Sequence, residues 1–219
     1  NKFKTFITKP RCIDLTFADR YSISLINLDK VKKLNDNQLS TLAIKFFNDT
    51  YTMDQFGCSS PGIIFWLGKK NINKNKFWDK LKEIVNHKYN LDLSGASKKI
   101  SNLMNFTLNE NGRFKIKINN FNLITLENKK FEFTNMNNVN FGTFAEININ
   151  NLNQLSKYVS EKLQTLTYYG VKFDEIKKFI IENKLKGIDR IVPIGRAFDL
   201  TPEWDGVDII ATLSRTISK

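Results

Sequence analysis

Residues 163–194 read LQTLTYYGVKFDEIKKFIIENKLKGIDRIVPI, and this stretch decides the fold class. Residues 163–169 and 189–194 are strand-like, and 173–184 between them has the pattern of a helix. Further helix-like segments flank the stretch at 152–162 and 206–217. Parallel neighbouring strands need a long crossover, and a helix supplies it. The alternation therefore predicts an α/β layer with parallel strands.

Upstream, residues 20–26 (RYSISLI) alternate as a strand does. Leu39, Leu42, Ala43, Phe46 and Phe47 then recur at helical spacing, which predicts an amphipathic helix over 36–48 with Asn35 or Asp36 as its cap. GIIFWLG (62–68) suits a buried strand. Residues 71–111 predict two helical pieces. Phe77, Leu81, Ile84 and Val85 share a face of the first; Ile100, Leu103 and Met104 share a face of the second, for which Ser94 is the expected cap. In 114–126 (FKIKINNFNLITL), Phe114, Ile116 and Ile118 alternate with lysines, giving one wet and one dry face, and Asn119-Asn120 suits the turn of a hairpin. A further strand is expected in 139–149, and the Asn-rich stretch 135–153 includes loops.

The chain has 219 residues, 41% apolar and 26% charged, enough for one large domain or two small ones. No window approaches a membrane span and no signal peptide precedes the first strand, so a cytoplasmic protein is expected. The net charge of +12 would suit a nucleic-acid partner. The lysines are spread over almost every segment, however, whereas a nucleic-acid footprint clusters, so no nucleic-acid partner is expected. Scattered lysines still suit a polyanionic ligand such as coenzyme A. Gly-x-Gly-x-x-Gly and P-loop patterns are absent. Cys12 and Cys58 lie far apart and form no C-x-x-C pair, so no metal site is expected.

Cys58 lies in DQFGCSSP (54–61), between the helix and the core strand. Gly57 permits unusual backbone angles, Pro61 fixes the exit, and Ser59 and Ser60 are small. Such neighbours leave a sulfur accessible and its backbone N–H free to meet an oxyanion. The loop thus suits a thiol nucleophile as well as an ordinary loop cysteine. Gln55 is either an orienting hydrogen-bonder or an exposed polar residue. Cys12, in PRCIDLTF, is expected to be a structural thiol. His87, the single histidine, fits the solvated end of a helix. Arg190 and Arg196 suit either phosphate binding or, as we prefer, ion pairs with Asp189, Asp199 or Asp205.

Gln55-x-x-Cys58-Ser59-Ser60-Pro61 resembles the catalytic loop of the bacterial acyl-CoA reductases (LuxC-like), which supply fatty aldehyde to bacterial luciferase and belong to the aldehyde dehydrogenase superfamily. Gly187-Ile188-Asp189-Arg190-Ile191-Val192-Pro193-Ile194-Gly195-Arg196-Ala197, followed by Trp204-Asp205-Gly206, Asp208 and Leu213-Ser214-Arg215, resembles the end of the same family more specifically. Arg20–Ser24 and Leu163–Leu166 add lesser matches, and together these bracket nearly the whole chain.

The resemblance implies an aldehyde dehydrogenase-like catalytic domain, with a mainly parallel sheet flanked by helices and a β-hairpin. It implies Cys58 as the nucleophile, with Gln55, Gly57, Ser59, Ser60 and Pro61 as loop support. The implied reaction is NADPH-dependent reduction of a fatty acyl thioester, acyl-CoA or acyl-protein, to aldehyde. An acyl-protein synthetase partner and a homo-oligomer, with the 114–126 hairpin as one assembly element, are also implied. Most of the dinucleotide-binding domain has no counterpart here, and the chain starts on Asn1. Residues 1–34 are therefore expected to be a remnant of the cofactor domain and linker, and 35–219 the thiol-bearing catalytic half. The superfamily's general base and oxyanion Asn are not assignable, and Phe141–Phe144 only loosely echoes its Glu-x-Phe-Gly-Pro element. The rival readings are a cysteine acyltransferase or thioesterase without cofactor, and a basic binding module.

Overall fold

Tyr21–Asn27 forms β1. It pairs in parallel with β2 (Pro61–Leu67) on one side and with β6 (Leu163–Tyr169) on the other. Beyond β2 come β5 (Thr143–Ile149) and β4 (Leu123–Glu127), both parallel, and then β3 (Lys115–Asn120), antiparallel to β4. The opposite edge is β7 (Arg190–Pro193). The sheet order is thus β3-β4-β5-β2-β1-β6-β7. These are features of a computed structural model that describes residues 5–17, 19–69, 74–109, 115–127, 140–215 and 217. Of the expected elements, residues 71–73 and 110–111 of the helical stretch, Phe114, residues 135–139 and residue 216 lie outside the described residues.

Because β1 is bonded on both sides, it belongs to this sheet. Ile23 and Leu25, which point to one face, leave water only because strands cover both flanks and a helical layer covers the face.

Alternate residues of β2 feed two separate cores. Ile63 and Phe65 pack with Leu155 and Tyr158, from a 3-10 helix at Leu152–Tyr158, and with Ile176 and Phe179 of α5 (Phe173–Glu182). On the other face, Ile64 and Trp66 pack with Leu39, Leu42 and Phe46 of α2 (Asp36–Thr50) and with Phe77, Trp78 and Leu81 of α3 (Asn75–Lys88). The result is a sheet with helices on both faces. A short helix, α1 (Leu28–Val31), follows β1. α2 opens on a capping box, in which Asn35 accepts from Gln38 N at 2.9 Å and Gln38 Oε1 accepts from Asn35 N at 3.1 Å.

The second core contains a buried carboxylate. Glu146 on β5 is 2% exposed. It accepts from Trp66 Nε1 at 2.7 Å and Trp78 Nε1 at 3.1 Å, and pairs with Lys74 Nζ at 2.8 Å. All three meet Oε2, so Glu146→Gln would keep an acceptor for them but remove the charge that pairs with Lys74 and weaken each bond. A loss of about 1–2 kcal/mol is expected in urea unfolding, with the fluorescence of the two indoles altered in the native state.

Several expectations need correction. The helix expected at 152–162 is the short 3-10 helix: Leu152, Leu155 and Tyr158 recur every three residues, which is its period. In place of a helix at 206–217 there is a hairpin of β8 (Glu203–Trp204) and β9 (Val207–Asp208), followed by α6 (Ile209–Leu213). Its turn residues, Asp205 and Gly206, have φ of 50° and 73°, the conformation that an Asp-Gly hairpin turn requires.

The β3–β4 turn is Phe121-Asn122, not Asn119-Asn120. Tyr51 Oη donates to Asn122 O at 3.0 Å, and Leu123 is fully buried beside it. β3 has no dry face: Ile116 is 41% and Ile118 69% exposed, because neither core extends to this edge. α4 (Leu93–Asn109) is capped by Asp92, whose Oδ1 accepts from Gly95 N at 2.6 Å, and not by Ser94. Ile100 and Met104 are exposed on it, whereas Lys99 is buried. Cys12 is exposed and lies in no strand, so it is not a structural core thiol. Its neighbours Ile13 and Phe17 are exposed as well, and Arg11 has φ of 71°.

Candidate active site: the Cys58 turn

The loop between α2 and β2 begins with a reversal of the chain. Asp54 and Gln55 have φ of 51° and 64°. Gln55 N donates back to Thr50 O at 2.9 Å, closing off the helix end. Gln55 is buried, with Nε2 on Thr143 O at 3.0 Å and Oε1 on Gly142 N at 2.7 Å, so the loop is stitched to the start of β5. Of the two readings of Gln55, the exposed one does not hold.

Ser60 N then donates to Gly57 O at 2.8 Å. Cys58 and Ser59 are the two central residues of this tight turn. Cys58 is exposed, whereas Ser59 is 2% and Ser60 5% exposed. Two hydroxyls anchor the turn from below. Ser60 Oγ donates to Asp49 O at 2.7 Å, and Ser22 Oγ donates to Cys58 O at 2.6 Å. Ser22 also accepts from Thr165 N at 3.2 Å. Pro61, which has no N–H to give, opens β2 at the position where a strand tolerates it.

The C-terminal motif packs against the same loop. Asp49, on the last turn of α2, is 1% exposed. Its carboxylate accepts from Gly195 N at 2.6 Å and Ala197 N at 3.0 Å. Burial pushes its pKa up to about 6, opposed by those two backbone bonds. Arg190 holds the carbonyls of the same turn: Nη1 donates to Ala197 O at 2.6 Å and Nη2 to Arg196 O at 3.2 Å and to Asp199 O. One acid and one base thus grip opposite polarities of a single backbone turn. Phe198, which this turn presents, lies over Gly57, where a Cβ would come within 2.7 Å of its ring.

Arg190 therefore makes carbonyl bonds and lies 5.4 Å from the Trp204 ring, in place of the ion pair preferred from the sequence. Asp189 and Asp205 face Arg20 instead. Arg196 does form the expected pair, with Asp199 at 2.5 Å.

Beside the turn opens a cleft of about 250 Å³, whose lining includes Asp19, Arg20, Tyr21, Gln55, Gly57 and Asn140. It lies at the amino ends of β1 and β2. Asn140 reaches it from the segment that precedes β5. Asn102 Nδ2 donates to Asn140 Oδ1 at 2.9 Å, and Lys99 Nζ to Phe141 O at 2.6 Å. Phe141 packs edge-on against Phe56. Burial pulls the Lys99 ammonium down to about 7. His87 lies exposed in the last turn of α3.

Sequence reasoning missed Ser22, Asp49, Asn140 and Phe198. Asp49 carried a signal: it continues the Leu39, Leu42, Phe46 stripe, and a charge on an apolar stripe needs a partner. Ser22 sits at a strand position that alternates with core residues. Nothing local marks Asn140 or Phe198.

A family model described as Acyl-CoA reductase (LuxC) matches residues 5–216. The chain belongs to the acyl-CoA reductase (LuxC) family. No curated protein matches the sequence. Among solved structures, this LuxC-family chain is similar in fold to the NAD-dependent aldehyde dehydrogenase from Sinorhizobium meliloti, with a TM-score of 0.55 and 8% identity over 84% of this chain and 38% of that one. It is also similar to lactaldehyde dehydrogenase from Escherichia coli, with a TM-score of 0.51 and 13% identity over 84% and 41%. A putative methylmalonate-semialdehyde dehydrogenase from Sinorhizobium meliloti 1021, complexed with NAD, gives 0.51 and 14% over 82% and 40%. The aldehyde dehydrogenase-like fold expected from the sequence is the one found, and the LuxC-family chain spans about two fifths of the length of these structures. Among its described residues, no helix is long and apolar enough to cross a membrane.

Proposed function

We propose that this chain is the thiol-bearing part of an oxidoreductase that converts a fatty acyl thioester to an aldehyde, with Cys58 as the nucleophile. The observation that carries the reading is the Cys58 turn: an exposed sulfur on a backbone anchored from below by Ser22 and Ser60, beside a polar cleft. Cys58 as thiolate attacks the thioester carbon. Negative charge gathers on the carbonyl oxygen, toward which the Cys58 N–H is directed. The C–S bond to the carrier breaks, the carrier leaves as its thiol after taking up a proton, and the acyl group stays on Cys58. Gln55, Gly57, Ser59, Ser60 and Pro61 keep the turn in shape and touch no reacting atom.

The described residues fit only the reacting end of a nicotinamide dinucleotide. The cleft is smaller than the ~300 Å³ at which ligand pockets begin, and no glycine-rich loop offers N–H groups to a pyrophosphate. Most of the cofactor site is therefore assigned to parts of the protein outside this chain. When bound there, NADPH supplies the hydride that takes the thioester to the aldehyde. Coenzyme A or a protein thiol is the proposed acyl carrier, with an acyl-protein synthetase as partner. A homo-oligomer in the cytoplasm completes the reading.

The test is to incubate the full-length protein with labelled acyl-CoA and map the label. Hydroxylamine-sensitive label on the Cys58 peptide, released as aldehyde when NADPH is added, is the expected result. Label elsewhere, or none, would remove the proposal. Free acid without aldehyde would mark a thioesterase instead.

A further inference from the structure

α4 buries a charge where a helix normally buries an apolar side chain. Lys99 is 1% exposed, whereas Ile100 and Met104 of the same helix are exposed. Lys99 Nζ donates to Phe141 O at 2.6 Å and lies 5.6 Å from the centre of the Phe121 ring. No carboxylate pairs with it among the described residues. A buried ammonium without a counter-ion is costly, and an apolar side chain of similar length would cost less. Packing alone therefore does not account for a lysine at this position.

What the ammonium holds is the anchor of the Cys58 turn. Phe141 and Gly142 have φ of 55° and 73°, and left-handed residues of this kind persist only where neighbours hold them. Phe141 N donates to Asp54 O at 3.1 Å, and Gly142 N to Gln55 Oε1 at 2.7 Å. Asp54 and Gln55 are also left-handed, and they open the loop that presents Cys58. Two left-handed pairs thus face each other across two hydrogen bonds, with the Phe56 and Phe141 rings in edge contact beside them. Lys99 supports the second pair through the Phe141 carbonyl. Asn102, three residues further along α4, holds the adjoining Asn140 at 2.9 Å, so one helical face braces the whole segment.

We propose that Lys99 is a positioning residue for the Cys58 turn, acting through Phe141 and its neighbour's bonds to the loop at Asp54 and Gln55. The inference rests on the reading of Cys58 as the acylated nucleophile. Its hold depends on protonation, because burial brings the ammonium down to about 7 and a neutral amine bonds a carbonyl more weakly than an ammonium does. The other titratable groups around it are Asp54 in the loop, Asp92 before α4, Tyr51 and Tyr89. Both tyrosines are kept neutral by burial, and Tyr89, which donates to Asp54, feels both acids. Lys99 feels burial alone. The segment 140–142 and the β3–β4 turn at Phe121-Asn122 bring no titratable group to it.

The experiment uses the full-length protein, Lys99→Met, and Lys98→Met as a control that removes an exposed neighbouring lysine. Acylation of Cys58 by labelled acyl-CoA, alkylation by iodoacetamide and the urea midpoint are measured. At about pH 6, Lys99→Met should acylate about 10–100-fold more slowly at saturating acyl-CoA, with half-saturation within about twofold of wild type. Its midpoint should be no lower than wild type. The sign follows from the lowered pKa: the native state binds this proton less tightly than the unfolded chain, so the penalty is complete below about 7 and fades as pH rises toward 10.5. The wild-type advantage in acylation should shrink from about pH 6 to about pH 8, as the ammonium is lost. Lys98→Met should match wild type throughout. Acylation within about twofold of wild type in Lys99→Met would overturn the inference. So would a loss that tracks a lower midpoint, which marks a merely structural lysine, or a rate ratio that stays flat over that pH range. An equal loss in Lys98→Met would overturn it as well. If wild-type Cys58 takes no acyl group, the reading of the nucleophile fails by itself. Alkylation then decides the positioning role: an iodoacetamide rate changed in Lys99→Met supports it, and an unchanged one overturns it.

Discussion

Cys58→Ser is expected to lower aldehyde formation by the full-length protein at least about a thousandfold, with no measurable change in unfolding midpoint. The two expectations have separate causes. Cys58 is exposed, and its anchoring contacts run through the backbone carbonyl, which serine keeps. A surface substitution of that kind shifts stability by less than about 0.5 kcal/mol. Chemistry is another matter. A free thiol is partly ionised near neutrality, whereas a hydroxyl needs an adjacent base to attack a carbonyl. The single histidine is on the last turn of α3 and does not line the cleft. Serine would therefore stay un-ionised. Stopped-flow detection of aldehyde with acyl-CoA and NADPH checks the rate, and a thermal melt checks the fold. Residual activity within tenfold of wild type would exclude Cys58 as nucleophile.

The second large effect is expected at Asp49. Both carboxylate oxygens accept backbone N–H groups of the 195–197 turn. Asp49→Asn offers one acceptor and sets an NH₂ against the second N–H. A buried donor without an acceptor costs about 1–3 kcal/mol, and opposed donors add to that, so a loss of about 3 kcal/mol is expected. Because Phe198 rests over Gly57, the Cys58 turn should loosen too, visible as a changed iodoacetamide rate.

The pH dependence has a definite sign. The folded-state pKa of Asp49 is raised to about 6 from an ordinary 3.8, so the native state binds the proton more tightly than the unfolded chain. Its stabilising contribution is complete below the unfolded value and is lost as pH rises through about 6. The stability gap between wild type and Asp49→Asn should thus widen as pH falls from 7 to 5, by at most about 1.4 kcal/mol per pH unit. A gap that is flat or narrows over that range would show that Asp49 does not titrate there.

The α/β layer was legible because the 163–194 alternation places a crossover helix between two short runs of strand. The Asn35 cap and the Leu39–Phe46 stripe were legible for the same reason, since both are set by neighbours within one or two turns. The site was legible only in part. Gly57 and Pro61 mark a special turn locally, but Ser22, which supports it, lies 36 residues from Cys58, and the Gly195 partner of Asp49 lies 146 residues beyond Asp49. Pairings over such distances leave little local trace. The Asp205-Gly206 hairpin was a different kind of error. Its turn signal was plain, but the expected helix run was extended across it. Lys99 inverted the pattern read along α4, because its buried side chain serves the carbonyl of Phe141 and not the core.

The grip of Asp49 on residues 195–197 also sets an order of events during synthesis. At about 5–20 residues per second, a ribosome needs roughly 7–30 s to pass from the first partner to the second. Throughout that interval the Cys58 loop exists without its distal brace, in a nascent chain whose thiol is present but not yet held. On the proposed reading of Cys58, competence would then arrive late and abruptly, only once that brace is in place.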